Sequence, residues 1–246
     1  MNYGILLLRP KDKFIKINLK GIEIYNMPVI NIIKENRNLI LKKVKRIGYA
    51  DYVIFTSTLS VELFKEYLGN DEFEKILDNA REIIAIGNKT KEQIETRNVT
   101  VPEVQSTTGI IEVMKNKKIG KVMIVRSKNG NKNLIPNLRI IGFKISVLNI
   151  YHASILKPVL LHMNIYNKLK KGDINAIIFT SSMIVKGFFL IFKKMHKKLN
   201  LKNIHIAAIG RETADALIRK KIKPDYIAES PDINECITTI IKKLNN

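Results

Sequence analysis

The sequence predicts an α/β fold made of two similar units, each with a parallel β-sheet covered by helices. The first observation is an internal repeat: residues 54–58 read IFTST and residues 178–182 read IFTSS. The second is a repeated glycine turn, IGNKT at 86–90 and IGRET at 209–213, at nearly the same distance from the first motif in both halves. The third is the alternation of apolar strands with helical periods, which is typical of parallel sheets with helices on both faces.

In the first half, short apolar or alternating runs predict the strands. Residues 5–8 form a run that stops at Arg9-Pro10, and the alternating residues 22–25 follow a glycine. The next strands are expected at 53–55 and at 83–86, each followed by a helical period, with Thr90 and Gln93 in a capping-box pattern in the second helix. Residues 104–108 are expected to form a short strand and turn before a helix from Gly109.

The second half repeats this order. Strands are expected at 122–125, 143–151, 176–179 and 206–209, with a last one at 226–228. Ser230, Pro231 and Asp232 predict the start of the final helix through an N-cap, a proline at the first helical position and an acid at the positive end of the dipole. The extended segments 27–33 and 147–153 lack the flanks of core strands, so we interpret them as connectors between the units.

The composition narrows the classes of protein. A content of 46% apolar residues supports two real cores, and the single cysteine, Cys236, excludes an internal disulfide and fits a reducing cytoplasm. We expect neither a signal peptide nor a membrane span. The net charge of +21 favours an anionic ligand, although the dispersal of the basic residues fits compositional drift equally well.

The repeated polar motifs all follow predicted strands. In open parallel sheets ligands bind beyond the carboxyl ends of the strands, and helix N-termini there bind carboxylate or phosphate through backbone N–H groups. The alternative for Thr58, Thr90, Ser182 and Thr213 is that each only caps its own helix. The paired occurrence of both motifs favours a binding function.

Familiar catalytic motifs are absent from the sequence, including the phosphate loop and the nucleophile elbow. The four histidines are not at paired ligand spacing, and we interpret them as surface or connector residues. Tyr151 ends a connector strand and should face the gap between the units, where its phenol could donate a proton to a leaving hydroxyl. The alternative is an ordinary interfacial tyrosine.

The order of these motifs along almost the whole chain resembles that of the uroporphyrinogen-III synthase family. The most specific segment reads AAIGRETADAL at 207–217, followed by Pro224-Asp225 and by AESP at 228–231. The resemblance implies two flavodoxin-like domains with parallel sheets, joined by a two-stranded β-ladder. The expected boundaries are 1–27 with 154–246 for a discontinuous domain and 32–147 for an inserted domain, with linker strands at 28–31 and 148–153.

The resemblance also implies a reaction without cofactor or metal. Linear hydroxymethylbilane loses water and closes, with inversion of ring D, to uroporphyrinogen III, a precursor of heme, siroheme and cobalamin. The upstream deaminase is a candidate partner. Tyr151 is expected to be catalytic. The substrate-binding residues are expected to be Arg9, Thr56, Ser57, Thr58, Gly87, Thr90, Arg126, Thr180, Ser181, Ser182, Gly210 and Thr213.

The sequence departs from the family in one place, and two other functions stay open. The family commonly carries a second arginine shortly after the one matched by Arg126, but residues 127–131 read SKNGN, so no role is transferred there. A non-catalytic two-lobed binding or regulatory protein of the same fold is the second hypothesis. A nucleic-acid binder is the third and least favoured, because it depends only on the net charge.

Overall fold

The computed structural model describes residues 3–10, 20–94, 99–229 and 232–245. None of the helices in these ranges is both long and apolar enough to cross a membrane. The strands within them are β1 (Tyr3–Leu8), β2 (Ile22–Met27), β3 (Ile30–Lys34), β4 (Tyr52–Phe55), β5 (Glu82–Ala85), β6 (Val99–Thr100), β7 (Lys121–Ser127), β8 (Lys144–Ile155), β9 (Ala176–Phe179), β10 (His205–Ala208) and β11 (Tyr226–Ile227).

The helices alternate with these strands. They are α1 (Arg37–Ile47), α2 (Thr58–Leu68), α3 (Asn70–Asn79), α4 (Asn88–Lys91), α5 (Thr107–Lys115), α6 (Leu134–Ile141), α7 (Leu160–Lys171), α8 (Ser182–Lys194), α9 (Arg211–Ile218) and α10 (Ile233–Leu244). The predicted α/β fold with parallel sheets is therefore confirmed.

The chain divides into two compact units. The discontinuous unit consists of Met1–Asn31 and Ser154–Asn246, and the inserted unit of Ile32–Ala153. The five strands of the discontinuous unit are all parallel and lie in the order β2-β1-β9-β10-β11. Counted along the unit's own chain this order is 2-1-3-4-5, which is the flavodoxin-like arrangement.

The inserted unit has the same arrangement of strands, but its chain begins the parallel sheet at a different strand. Its sheet order is β3-β8-β7-β4-β5-β6, and the five strands from β8 to β6 are parallel. If β7 and β8 are counted as the first and second strands, the order is again 2-1-3-4-5. The registers also agree, because Phe55 pairs with Ala85 in one sheet and Phe179 with Ala208 in the other.

The sheet of the inserted unit separates two cores by the alternation of its side chains. In β4, Val53 and Phe55 pack with helices α1, α2 and α3, whereas Tyr52 and Ile54 pack with α5 and α6. The first core is lined by Phe64 and other apolar side chains. Strands buried on both faces read as continuous apolar runs, which is why YVIF here is recognisable from the sequence.

The segment 147–153 is more than a connector. Val147 and Leu148 pair with Ile124 and Val125 of β7, and the pairing continues to Tyr151, so the interpretation that this segment lacks the flanks of a core strand is wrong for residues 147–151. Its second half continues in β8 beside β3. Glu35 N–H donates to Ile150 O, and Leu156 N–H donates to Val29 O. Residue numbers therefore fall along β3 while they rise along β8, so the two strands are antiparallel.

Two local predictions about strands and histidines are wrong. No strand occupies residues 104–108: Val104 is exposed, its carbonyl accepts the Ser106 N–H in a turn, and α5 begins at Thr107 after its N-cap Ser106. The interpretation of all four histidines as surface or connector residues fails for His162, which has no exposed surface. Its Nδ1 accepts from Val159 N–H at 2.9 Å, and its Nε2 lies 2.9 Å from the Pro28 carbonyl.

The helix starts also differ from the sequence interpretation. The N-caps of α2, α4, α8 and α9 are Ser57, Gly87, Ser181 and Gly210. The residues proposed as alternative caps are therefore all inside their helices: Thr58, Thr90, Ser182 and Thr213. Asp232 caps α10 through bonds from the Asn234 and Glu235 N–H groups, while Ser230 and Pro231 lie outside the described residues.

Candidate functional site

Within each unit, the polar motifs lie at the carboxyl ends of neighbouring parallel strands. In the inserted unit Thr56 follows β4, and its N–H donates to Val125 O of β7 at 3.3 Å. In the discontinuous unit Thr180 follows β9, and its hydroxyl donates to Leu8 O of β1 at 2.7 Å. Both threonines therefore fasten the end of one strand to the next, and the helix N-termini that follow them meet at this edge of their sheet.

Two serines turn the chain from strand to helix in the same way. Ser57 Oγ accepts from Ser60 N–H at 3.1 Å, and Ser60 Oγ lies 3.2 Å from Ser57 N in a reciprocal capping box. Ser181 Oγ accepts from Ile184 N–H at 3.2 Å. Each cap satisfies one N–H of the first turn. The helices of 11 and 13 residues that follow are long enough to present a positive dipole end.

The hydroxyl of Tyr151 reaches the first of these caps. Its oxygen lies 3.0 Å from Ser57 Oγ, and the side chain is only 9% exposed. Burial raises the pKa of Tyr151 above the ordinary value of 10.0, outweighing the hydroxyls of Ser57 and Ser127 and the charge of Arg126, which lower this pKa. The phenol therefore keeps its proton at neutral pH and can act as a proton or hydrogen-bond donor.

Arg126 is a buried cation at the end of β7, with 4% of its surface exposed. Its Nε donates to Ser127 O and its Nη2 to Asn131 O, each at 3.0 Å, while Nη1 is buried without a hydrogen-bond partner. Burial lowers the pKa of Arg126. A buried guanidinium nitrogen with an unmet donor can take an anionic oxygen, so this position fits carboxylate binding.

The Gly87 turn has less capacity for an anion than its sequence suggests. The helix α4 that follows it has only four residues, and Asn88 N–H already donates to Gln105 Oε1 at 3.1 Å. Thr90 is 4% exposed, and its N–H donates to Gly87 O at 3.0 Å. Because the N–H of the first helical residue is occupied from within the unit, anion binding is better supported at the other three turns.

The corresponding turn of the discontinuous unit is open. An added methyl group at Gly210 would meet no atom within 4 Å, and α9 after it has eight residues. Thr213 is 4% exposed like Thr90, and its N–H donates to Gly210 O at 3.1 Å. One acid stands at this rim, since Ser182 Oγ donates to Glu212 Oε1 at 3.0 Å. Arg9 lies just beyond β1 and is half-buried.

Sequence reasoning missed three residues that shape these rims, namely Gln105, Ser127 and Glu212. Gln105 acts from a loop 17 positions away from the amide that it covers, so no local pattern could reveal it. Glu212 lies inside the repeated motif and could have been recognised, because its counterpart in the other copy is Lys89. That difference reverses the charge at one equivalent position.

Comparison with known proteins assigns the family. The family model described as uroporphyrinogen-III synthase HemD matches residues 15–238. The chain belongs to the uroporphyrinogen-III synthase family. Its members are enzymes of tetrapyrrole biosynthesis, so membership implies a small-molecule tetrapyrrole as substrate. The resemblance recognised in the sequence is thereby confirmed.

Individual relatives agree with this assignment. A protein of Archaeoglobus fulgidus, named as a candidate uroporphyrinogen-III synthase, is 24% identical over 230 residues that cover 92% of each chain. A protein of Methanothermobacter thermautotrophicus with the same name is 26% identical over 212 residues, 81% of this chain and 80% of that one.

Solved structures of uroporphyrinogen-III synthase share the fold. A mutant enzyme from the extreme thermophile Thermus thermophilus superposes with a TM-score of 0.71 at 18% identity and covers 99% of both chains. The enzyme from Helicobacter pylori gives a TM-score of 0.64 at 21% identity, over 98% of this chain and 99% of that one. At these identities the likeness shows the fold alone.

Proposed function

We propose that this protein is a uroporphyrinogen-III synthase that closes linear hydroxymethylbilane to uroporphyrinogen III, with inversion of ring D and loss of one water. The observation that carries the proposal is the family match across residues 15–238 together with a buried, protonated Tyr151 at the carboxyl edge of its sheet. The reaction would need no cofactor, and the enzyme would be a hydro-lyase.

The proposed chemistry uses Tyr151 as the proton donor. The bond between the terminal methylene carbon and its hydroxyl breaks, the phenol supplies a proton, and water leaves. The electron-rich pyrrole is left as an azafulvenium cation and the phenol as a phenolate. Ring D attacks the cationic methylene through the carbon that already bears its bridge to the neighbouring ring, which gives a spiro intermediate. The bond from that carbon to the old bridge breaks, the bridge carbon bonds to the free α-carbon of ring D, and the proton lost from that α-carbon restores the phenol. A donor whose pKa is raised stays protonated until the hydroxyl departs.

The remaining work is to hold one folded conformer of the bilane, because the substrate also closes unaided to the uninverted isomer. Positioning of this kind needs directional contacts rather than strong acid–base groups. The eight carboxylates of the substrate suit the basic chain, the helix starts after Ser57, Ser181 and Gly210, and the unpaired Nη1 of Arg126. We propose Arg9 and the remaining hydroxyl residues of the two rims as further contacts.

The test is a product assay. Purified protein is mixed with hydroxymethylbilane freshly made by the upstream deaminase, which is also a candidate partner in the cytoplasm, and the porphyrin isomers are separated after oxidation. We expect mainly the type III isomer, against type I in the protein-free control. Type I alone, with bilane binding detected by calorimetry, would instead support the non-catalytic binding protein.

A further inference from the structure

Strand β8 contains an extra residue immediately before Tyr151. Along β7 and β8 the pairing is regular up to Arg126 with Asn149, but the next pair is Ser127 with Tyr151. Ile150 therefore has no partner in the register, which defines a β-bulge. Bulges of this kind increase the local twist and change the direction of the side chain that follows.

The bulge decides which core receives Tyr151. Before it, alternation is regular: Phe143 and Ile145 pack in the core against α5 and α6, whereas Leu148 and Ile150 pack in the core against α1, α2 and α3. Continued alternation would return Tyr151 to the core against α5 and α6. Tyr151 lies instead in the core against α1, α2 and α3, with Leu148 and Ile150, on the side where α2 begins at the Ser57 cap.

The turn after β7 holds this altered strand at the Tyr151 carbonyl and just after it. Lys128 N–H donates to Tyr151 O at 2.8 Å, and Ala153 N–H donates to Asn129 Oδ1 at 2.6 Å. Asn129 N–H in turn donates to Ser127 Oγ at 3.2 Å. The turn is thus joined to the strand by one backbone bond and one side-chain bond, which flank His152 directly after the residue that carries the phenol.

Arg126 closes the same turn from its other end. Its guanidinium donates to the carbonyls of Ser127 and Asn131, and Gly130 N–H donates to Ser127 O at 3.1 Å. Gly130 packs directly against the guanidinium, since a methyl group added there would lie 2.5 Å from Nη2. The geometry of residues 127–131 is therefore fixed by several bonds and is suited to hold a neighbouring strand.

We propose that the turn 127–131 positions Tyr151, and that Asn129 is the side chain through which it does so. The inference rests on the proposed function, because it takes Tyr151 as the proton donor. Asn129 itself is exposed and packs in neither core, so its bond to Ala153 is its only described link to β8. The family resemblance assigns no residue in this turn, so the role is read from the geometry of this chain.

Kinetics of three variants test the role of Asn129. Asn129→Ala removes the acceptor of the Ala153 N–H, so we expect kcat for the type III isomer to fall about tenfold with KM unchanged, as for a misplaced reacting group. Asn129→Asp keeps an oxygen at the same place and should restore most of kcat. Asn137→Ala, which removes the hydrogen bond that the Asn137 side-chain amide donates to the carbonyl of the N-cap Asn133 of α6, is the matched control and should behave as wild type.

A measurement that needs no turnover separates this proposal from the proposed function. Tyrosine labelled at the phenolic carbon is followed by NMR through an alkaline titration, with Tyr151→Phe to assign the signal. In Asn129→Ala we expect Tyr151 to titrate at lower pH than in wild type, because the phenol loses burial, and the Ala153 amide to exchange faster.

Unchanged titration and exchange in Asn129→Ala would overturn the proposal, and so would Asn129→Asp that behaves like Asn129→Ala. If the wild-type protein makes only type I product, the proposed function fails, but the titration and the exchange still decide whether the turn positions Tyr151.

Discussion

The two units share one sheet order and one set of rim motifs, yet only one of them has an interrupted register beside its first strand. In the discontinuous unit β1 and β2 pair without a shift from Tyr3 and Ile22 to Leu8 and Met27. In the inserted unit the equivalent pair, β7 and β8, contains the bulge before Tyr151. A repeated scaffold therefore supplies similar edges, and one extra residue gives one copy a buried phenol.

The glycine turns also differ between the units, but here the discontinuous unit has the more accessible site. Gly87 is covered by Gln105 and is followed by a single helical turn, whereas Gly210 is open and is followed by a full helix. The inserted unit thus carries the candidate for chemistry, and the discontinuous unit carries the less obstructed amide edge. Substitutions can test whether the inserted unit supplies the proton donor while the discontinuous unit binds the substrate.

The largest expected effect concerns the phenol. Tyr151→Phe removes the proposed proton donor, so we expect kcat for the type III isomer to fall about 100-fold. The fold should persist, with a loss of about 1 kcal/mol for the hydrogen bond to Ser57. The measurements are turnover and thermal unfolding.

The matched control is Tyr25→Phe, which removes a phenol from β2, the equivalent strand of the other unit. Its turnover should equal that of wild type. Equal rates for Tyr151→Phe and wild type would remove Tyr151 from the mechanism and leave the difference between the units without a catalytic meaning.

The pH dependence sharpens the same contrast. Since the pKa of Tyr151 is raised in the folded protein, its neutral form favours folding, and this contribution is complete below the ordinary value of 10.0 and is lost as pH rises through the folded value. Denaturant unfolding of wild type and Tyr151→Phe should therefore show a gap that is constant at neutral pH and narrows above pH 10. A gap that widens there would mean that the phenol is not desolvated.

The glycine pair tests whether the two turns differ as described. Gly87→Ala would make a methyl group overlap Gln105 Oε1 and break the bond to Asn88 N–H, so we expect a loss of about 1 kcal/mol of stability. Gly210→Ala meets open space in an extended backbone and should change stability by less than about 0.5 kcal/mol. Equal losses in urea unfolding would show that the turns are equivalent.

The smallest expected effect is electrostatic. Glu212 places a carboxylate at the open rim, where the other unit has Lys89. Glu212→Gln should lower KM for the bilane about twofold at low salt, and the gain should disappear at high salt because exposed charges are screened. Steady-state kinetics at two ionic strengths measure this change, with Glu229→Gln, an exposed glutamate outside the repeated glycine turn, as a control. A raised KM would show that Glu212 assists binding.

The sequence predicts the parts of this molecule that depend on local pattern. The apolar runs 53–55 and 176–179 are strands because both faces of a parallel sheet are buried, and the repeated motifs follow them because the chain must turn into a helix at the same edge. The strand proposed at 104–108 fails because β-branched composition alone cannot exclude a turn.

The remainder depends on distant contacts. The bulge before Tyr151 is one residue in a long strand of mixed apolar and polar residues, and the pattern does not mark its place. Gln105 and Asn129 act on backbone groups that only the folded chain brings near. His162 is buried because two backbone groups satisfy its ring nitrogens, and nothing in its sequence surroundings indicates them.

The sheet orders have a consequence for how such a chain could have arisen. Each strand except β3 can be given the number that it carries in the order 2-1-3-4-5 of its own sheet. The strands β1, β2 and β4 to β11 then follow one another along the polypeptide as 1-2-3-4-5-1-2-3-4-5. That is the order of a plain tandem duplication of one ancestral gene. The two copies have exchanged their last three strands reciprocally, so each folded unit is a hybrid of both. Either half of the gene still encodes every strand that one complete five-stranded sheet requires.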